Sequence, residues 1–352
     1  MQIRRISIDQ ELSRSAINMD DPAEALRYGN LAVQAYLALH QHDDPGARNS
    51  SGEVAFAMMD SARPLEAIAY LDGLWHLSDA ARREVESDDQ LAVLRAYAAA
   101  QNSSGRVEDA LSTLDREMRL LARISAQRLW PTILERERTN AFIELGQLAL
   151  AESALERATA AASRDQQKPE SLLLPRAKLA LAQSKSEEAR ESLSALLSST
   201  NLYLSLRNRL GADCLVAEAW LREGRWNEAE VGVSKALVRI ESFKHREALA
   251  DLESRALWIR GRALLGRNDP AAALPMLERA VTLLEGVVDT RVSLQLSHVL
   301  GSLAQAQFRT GHALEARKTF ERMKTINAQH PDIGPTVRAE LASVARELSV
   351  RS

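Results

Sequence analysis

The chain has 352 residues, of which 45% are hydrophobic, 26% charged and 4% aromatic, with a formal net charge of −3. This composition excludes wholesale disorder, favours helices over strands, and gives no support for binding to nucleic acid or to an anionic membrane. The single cysteine, Cys214, excludes an internal disulfide and a cysteine-rich zinc site. Because no apolar stretch matches a signal peptide or a membrane span, we expect a soluble, cytoplasmic protein.

Helical hairpins are predicted to follow one another along the chain. The segment "AEAWLREGRWNEAEVGVSKAL", residues 217 to 237, has apolar residues at helical spacing on both sides of Gly224, a residue that can end a helix in the left-handed conformation. It is predicted to form two antiparallel helices that cross where the small residues Ala217 and Ala229 meet, with Trp226 over the turn. One hairpin of this kind cannot bury its apolar face alone, so further copies are expected.

Eight copies of this pattern are present. An alanine near the start of each second helix recurs every 38 to 44 residues, at Ala25, Ala67, Ala110, Ala151, Ala189, Ala229, Ala273 and Ala316. Twelve positions earlier stands a small-residue column of Ser13, Ala55, Ala98, Thr139, Ala177, Ala217, Gly261 and Ala304. Five positions before each alanine stands a turn column, mostly of helix-ending residue types: Asp20, Ala62, Gly105, Gly146, Ser184, Gly224, Asn268 and Gly311. The residue four positions after the alanine is apolar in seven copies, and Gly29 is the exception.

The small residue, the turn residue and the following "EA" resemble tetratricopeptide repeats from about residue 5 to residue 330. The period exceeds the usual repeat of about 34 residues and is similar to that in the sensor region of MalT-like bacterial transcription activators, although no ATPase or DNA-binding module is recognisable. The resemblance implies an all-α superhelix, a solenoid of about eight hairpins in residues 1–331. A capping helix, "TVRAELASVARELSV", is predicted in residues 332–352. We expect roughly seventeen helices, no sheet, and repeats that contact mainly their neighbours.

No sequence motif for catalysis stands out. The chain has no glycine-rich phosphate loop, HExxH, CxxC or GxSxG, so we predict a protein that is not an enzyme and needs no cofactor. The stretch "HQHDD" offers ligand types for zinc or nickel in His40, His42, Asp43 and Asp44, but a solvated turn between repeats is the interpretation we favour. Cys214 is expected to be a packed, inert thiol.

The candidate binding residues lie on first helices, which line the concave surface in tetratricopeptide arrays. The resemblance implies that residues three to four positions apart on a first helix face the groove. Polar or cationic side chains at these positions could bind a carboxylate of a partner. A solvated helix face is the alternative interpretation for each residue. The two clusters, predicted as separate stretches about three repeats apart, are Arg136, Asn140 and Lys178, and Arg255, Trp258 and Arg262.

These patterns predict a scaffold that binds a protein or peptide partner, an acidic peptide or helix, in its groove. The alternative is a ligand- or peptide-sensing regulatory domain of a bacterial signalling or transcription-regulating protein, which the MalT-like resemblance favours. The carboxylate-clamp set of the family is not reproduced in full, so chaperone-tail binding is not supported.

Overall fold

Every regular segment that the structure describes is helical. The structure is a computed structural model and describes residues 8–13, 15–16, 21–40, 45–78, 90–124, 130–164, 169–198 and 205–349. Residues 8–13 and 15–16 are helical and precede sixteen α-helices, so the predicted all-α fold is confirmed. The helices are α1 (Pro22–His40), α2 (Pro45–Asp60), α3 (Pro64–Trp75), α4 (Leu91–Ser103), α5 (Val107–Ile124), α6 (Trp130–Glu144), α7 (Leu148–Arg164), α8 (Leu173–Ala182), α9 (Ser186–Ser198), α10 (Leu206–Arg222), α11 (Trp226–Glu241), α12 (Ala250–Gly266), α13 (Pro270–Glu285), α14 (Leu294–Arg309), α15 (Ala313–Asn327) and α16 (Pro335–Ser349). Short 3-10 turns at Pro169–Leu172 and Arg246–Leu249 lead into α8 and α12.

Small side chains allow the two helices of each hairpin to pack closely against each other. All eight alanines of the second helices are buried, and so is every residue of the small-residue column. At Gly261 a Cβ atom would lie 2.6 Å from Cγ of Leu277, so this crossing requires glycine. In the hairpin of α10 and α11, Ala217 faces Gly232, whereas Ala229 packs with Leu221. The predicted contact between Ala217 and Ala229 stays a prediction.

Left-handed residues end the first helices of the repeats. The seven described members of the turn column all have positive φ, between 55° at Ala62 and 89° at Gly311, and Asp20 lies outside the described residues. In the hairpin of α10 and α11, the amide of Arg225 donates to the carbonyl of Trp220 over 3.0 Å and satisfies a carbonyl at the helix end. The turn column predicted from sequence is therefore confirmed wherever the structure describes it.

The first helices lie on the inner side of the curved array. Each of α2, α4, α6, α8, α10, α12 and α14 contacts the first helix of the next repeat, or α16 in the case of α14, whereas consecutive second helices contact each other far less. Tighter packing on one side bends a stack of hairpins toward that side. The first helices therefore line the concave surface, as the resemblance implies.

The superhelix closes on itself through contacts between distant repeats. The amide of Asp289, between α13 and α14, donates to the carbonyl of Ser104 in the turn of the third repeat, and Arg106 Nε donates to Asp289 Oδ2; both distances are 2.9 Å. Before α16, the amide of Gly334 donates to the carbonyl of Leu145 in the turn of the fourth repeat over 2.7 Å. These contacts go beyond the expectation that repeats contact mainly their neighbours.

The final helix, α16, packs against α14 and α15. Its buried side chains Val337, Val344 and Leu348 lie one or two turns apart and form a single apolar face. Val337 also shares an apolar cluster with Leu145 and Val107, so the same helix takes part in the closure. The division of the chain into residues 1–331 and 332–352 stays a prediction.

Candidate binding groove

The first predicted cluster forms a continuous polar surface on α6 and α8. Lys178 Nζ lies 3.5 Å from Oδ1 of Asn140, to which it donates a long hydrogen bond. Asn140 in turn lies 3.5 Å from Glu137, and Arg136 forms an ion pair with the same Glu137 carboxylate at 3.0 Å. Burial, followed by the charge of Arg255, lowers the pKa of Lys178. Lys178 forms no ion pair with any residue that the structure describes.

Arg255 in the second predicted cluster is bonded to a buried carboxylate. Its Nη2 donates to Oε2 of Glu218 over 2.6 Å, and Arg222 binds the other carboxylate oxygen at 2.9 Å. Burial alone would raise the pKa of Glu218, but the two guanidinium groups lower it to about 2. Arg255 is therefore a structural partner of α10 and is less free to bind a ligand than the sequence suggests.

Trp258 and Arg262 lie on the same face of α12 as Arg255. The indole Nε1 of Trp258 donates to Oγ of Ser302 on α14 over 3.0 Å, which fixes a half-buried ring. Arg262 is also half-buried, and burial lowers its pKa. Within the described ranges its guanidinium makes neither a hydrogen bond nor an ion pair. Arg262 is thus the cation in this cluster whose guanidinium could donate hydrogen bonds to a ligand carboxylate.

The two clusters lie within electrostatic reach of each other on the inner row of first helices. The charge of Arg255 lowers the pKa of Lys178, and the carboxylate of Glu144 on α6 raises it, which places groups from α6, α8 and α12 within electrostatic reach of one another. Two of the four predicted cations, Arg136 and Arg255, are paired with acidic residues. The groove is therefore mixed in charge and not uniformly basic, which corrects the sequence interpretation.

Two groove residues, Glu218 and Gln305, are not among the residues predicted from sequence. The residue that directly follows the small-residue column differs in chemistry from repeat to repeat, and we call this series the groove column. A regular offset from the small residues could have identified it. From the fourth to the eighth repeat the groove column is Asn140, Lys178, Glu218, Arg262 and Gln305.

Ionic contacts continue to the last helix of the groove. His298 on α14 pairs with Glu340 on α16. Burial by itself lowers the pKa of His298, but the neighbouring carboxylate of Glu340 raises it to about 9. Gln305 Nε2 donates to Glu347 over 2.7 Å. The capping helix therefore contributes two carboxylates to this end of the groove.

The described residues offer no other recognisable chemistry. They contain no group of three or more His, Cys, Asp or Glu residues that could hold a metal ion. In the "HQHDD" stretch, residues 41–44 and the side chain of His40 lie outside the described residues. Burial raises the pKa of the Cys214 thiol to about 12, in line with a packed thiol. None of the helices in this part of the chain has both the length and the apolar character needed to cross a bilayer.

Comparisons with known proteins identify the fold. No protein-family model matches the chain, and no curated protein matches it. A solved structure of a Rap protein complexed with Competence and Sporulation Factor is similar with a TM-score of 0.62 and 10% identity, over 98% of this chain and 99% of that one. NprR in complex with its cognate peptide NprX has a TM-score of 0.54 and 13% identity, over 86% of this chain and 82% of that one. A tetratricopeptide repeat protein from Parabacteroides merdae has a TM-score of 0.45 and 14% identity, over 83% and 98%.

The similarities to the Rap protein and to NprR extend over most of each chain. The MalT-like resemblance stays a prediction. The paired small residues, the left-handed turns and the inner row of first helices are the features that the repeat pattern implies. The chain therefore has the all-α superhelical fold of tetratricopeptide-repeat proteins.

Proposed function

We propose that the chain is a non-enzymatic binding protein that holds an extended peptide or a partner helix in its concave groove. The observation that carries this proposal is a pair of half-buried cations, Lys178 and Arg262, that form no ion pair with any described residue. Arg262 lies on the same helix face as the fixed indole of Trp258. A half-buried cation without a partner has lost hydrogen bonds to water that a ligand carboxylate would replace. An aromatic side chain beside such cations supplies contact area at low entropic cost.

The solved structures support the same use of the fold. NprR is seen in complex with its cognate peptide, and the Rap protein with Competence and Sporulation Factor. Both share the superhelical architecture with this chain over most of their length. A concave row of first helices is therefore a suitable place for a peptide here as well.

A second candidate function is peptide sensing by a regulatory domain of a bacterial, cytoplasmic signalling protein. The observation that favours it is the position of α6. This helix supplies Asn140 to the groove, and the turn that follows it begins at Leu145, whose carbonyl accepts the hydrogen bond from Gly334 in the closure. A ligand that moves α6 would change both surfaces. Small-angle scattering with and without the bound partner distinguishes this function from a rigid scaffold, for which the radius of gyration stays constant.

The proposal is tested with a double variant, Lys178→Ala with Arg262→Ala. Partners retained from a lysate by the immobilised parent chain are identified, purified, and then titrated against parent and variant. Each lost charged hydrogen bond should weaken binding roughly tenfold or more, and the salt dependence of binding should decrease. Arg255 is left in place because its removal would leave the Glu218 carboxylate buried and without its Arg255 partner.

A matched control removes two positive charges outside the groove. Lys235 on α11 and Lys318 on α15 are exposed residues of second helices, and neither forms an ion pair with any described residue. The control variant, Lys235→Ala with Lys318→Ala, should bind like the parent. Equal binding of the parent and the groove variant at low salt would show that the groove assignment is wrong.

A further inference from the structure

Glu144, at the end of α6, carries a carboxylate that has no ion-pair partner among the described residues. Its Oε1 atom is shielded from solvent and accepts no hydrogen bond from this part of the chain. None of the described residues forms an ion pair or hydrogen bond with this side chain. Shielding a carboxylate oxygen without a donor is unfavourable, and most such groups in folded proteins are satisfied. A donor that is absent from the chain itself would explain why the residue stands there.

The cations near Glu144 do not supply that donor. Four cationic side chains have pKa values that respond to the Glu144 charge, so they surround it at a distance. Each one donates to another group instead. Their partners are Asn140 for Lys178, Glu218 for Arg255, Glu340 for His298 and Glu108 for His330. The Glu144 carboxylate therefore contributes negative charge to the groove, near a lysine whose partner is a neutral amide and not a carboxylate.

The spacing of these groups defines the ligand that would fit. Asn140 and Glu144 are four residues apart on α6, so their side chains leave the helix about 6 Å from each other. Lys178 Nζ lies 3.5 Å from Asn140 Oδ1, so its ammonium is about one helical turn from the Glu144 carboxylate. An extended peptide advances about 3.3 Å per residue. A cationic group and a carboxylate within about two residues of each other would reach both positions.

We infer that Glu144 binds a cationic group of the ligand, an α-ammonium, lysine or arginine, while Lys178 binds a carboxylate next to it. This inference rests on the proposed function and narrows the ligand from an acidic peptide to one in which opposite charges are adjacent. A uniformly acidic helix would place negative charge against Glu144 and is disfavoured in this groove. Glu144 is thus a specificity residue for the peptide.

The probes are pentapeptides with a fluorophore at the carboxyl end. One Lys and one Asp are placed adjacent, two apart or four apart in an otherwise neutral sequence, and each peptide is made with a free and with an acetylated amino terminus. A further pair carries Asp at position two and no Lys, so that the α-ammonium is its only cation. Fluorescence anisotropy measures the binding of each peptide to the full chain, to Glu144→Gln and to the control Glu156→Gln. Glu156 is exposed on α7, a second helix.

Glu144→Gln should weaken the binding of adjacent-charge peptides roughly 10- to 100-fold, the effect of losing one charged hydrogen bond. The control variant should bind like the parent. If acetylation of the amino terminus weakens binding, the α-ammonium is the cation that Glu144 binds. If only the Lys-containing peptides lose affinity, the cation is the lysine side chain. Equal binding of these peptides to the parent and to Glu144→Gln overturns the inference while the proposed function stands. Failure of every peptide to bind the parent also overturns the inference, whereas the proposed function is decided by titration of the captured partner.

Thermal unfolding gives a readout that needs no ligand. Because the Glu144 carboxylate has no partner in the described part of the chain, Glu144→Gln should unfold at the same temperature as the parent or at a higher one. A lower unfolding midpoint would mean that Glu144 supports the fold, and the inference would then be wrong.

Discussion

Replacing Gly334 by alanine tests whether distant repeats close the superhelix. Gly334 precedes α16, and its amide donates to the carbonyl of Leu145 over 2.7 Å. A Cβ atom at this position would overlap the carbonyl group of Gly146, which is backbone and cannot rotate away as a side chain could. The variant can therefore fold only if the segment before α16 moves away from the turn of the fourth repeat.

The cost of that movement follows from the contacts that it breaks. The Gly334 hydrogen bond and the neighbouring one from Gln147 Nε2 to a backbone carbonyl of this segment, 2.8 Å long, are worth about 1 kcal/mol each. Ile333 and Val337 are buried in the same apolar cluster, and their partial exposure adds about 1 to 2 kcal/mol. We expect a loss of about 3 to 4 kcal/mol in the free energy of unfolding.

Urea denaturation measures the loss, and small-angle scattering measures whether the radius of gyration increases. The control is Gly73→Ala on α3, where a Cβ atom would meet nothing within 4 Å. Alanine is favoured over glycine inside a helix, so the control should be stabilised by about 0.5 to 1 kcal/mol. A Gly334→Ala variant with the parent's unfolding midpoint and radius of gyration would refute the closure.

Four further predictions concern stability. Glu117 is fully buried, and neither carboxylate oxygen accepts a hydrogen bond from any described residue. Burial raises its pKa well above the ordinary value, so Glu117→Met should stabilise by about 1 to 4 kcal/mol at pH 7. A carboxyl group whose pKa is raised by folding destabilises the parent as pH rises above its unfolded pKa, near 4.3. Calorimetry should therefore show that the extra stability of Glu117→Met decreases as the pH is lowered from 7 toward about 4.3. Ala229→Leu should overpack its cluster and cost about 1 to 3 kcal/mol, so an unchanged unfolding midpoint would contradict the packing. The pKa of His298 is raised to about 9, so its pair with Glu340 should stabilise the fold fully below about pH 6.5. This stabilisation should be lost as pH rises through 9. The free energy of unfolding should therefore fall less over this pH range in His298→Gln than in the parent. Deletion from Thr336 onward should reduce hydrogen-exchange protection in α15 and also in the turn of the fourth repeat, whereas unchanged protection of that turn would argue against the closure.

The repeated features were predictable because each depends on nearby residues. A left-handed residue at Ser184 or Asn268 is required by a turn whose two helices adjoin it in sequence. A small residue at Gly261 is required by Leu277, sixteen positions later. Eight copies made these local requirements visible as columns. The helices, turns and inner surface could therefore be placed before the structure was known.

The closure could not be predicted in the same way. Arg106 and Asp289 are 183 residues apart, and whether they meet depends on the summed rotation of all the repeats between them. Each connection between hairpins has its own length and contributes a different part of that rotation. Gly334 has no counterpart in the repeated columns, so a single sequence gives no reason to distinguish it from any other glycine in a connection.

The groove column shows why the fold and the binding site differ in how well they can be predicted. The small-residue column is nearly constant, because every repeat has the same crossing to make, whereas the next residue along each first helix is free to vary. Arg255 and Arg262 look equivalent in sequence, seven residues apart on one helix face. The first is neutralised by Glu218 on α10, and the second has no partner in the described residues. Whether a groove cation can bind a ligand is therefore decided by a residue one repeat away, which the repeat pattern does not constrain.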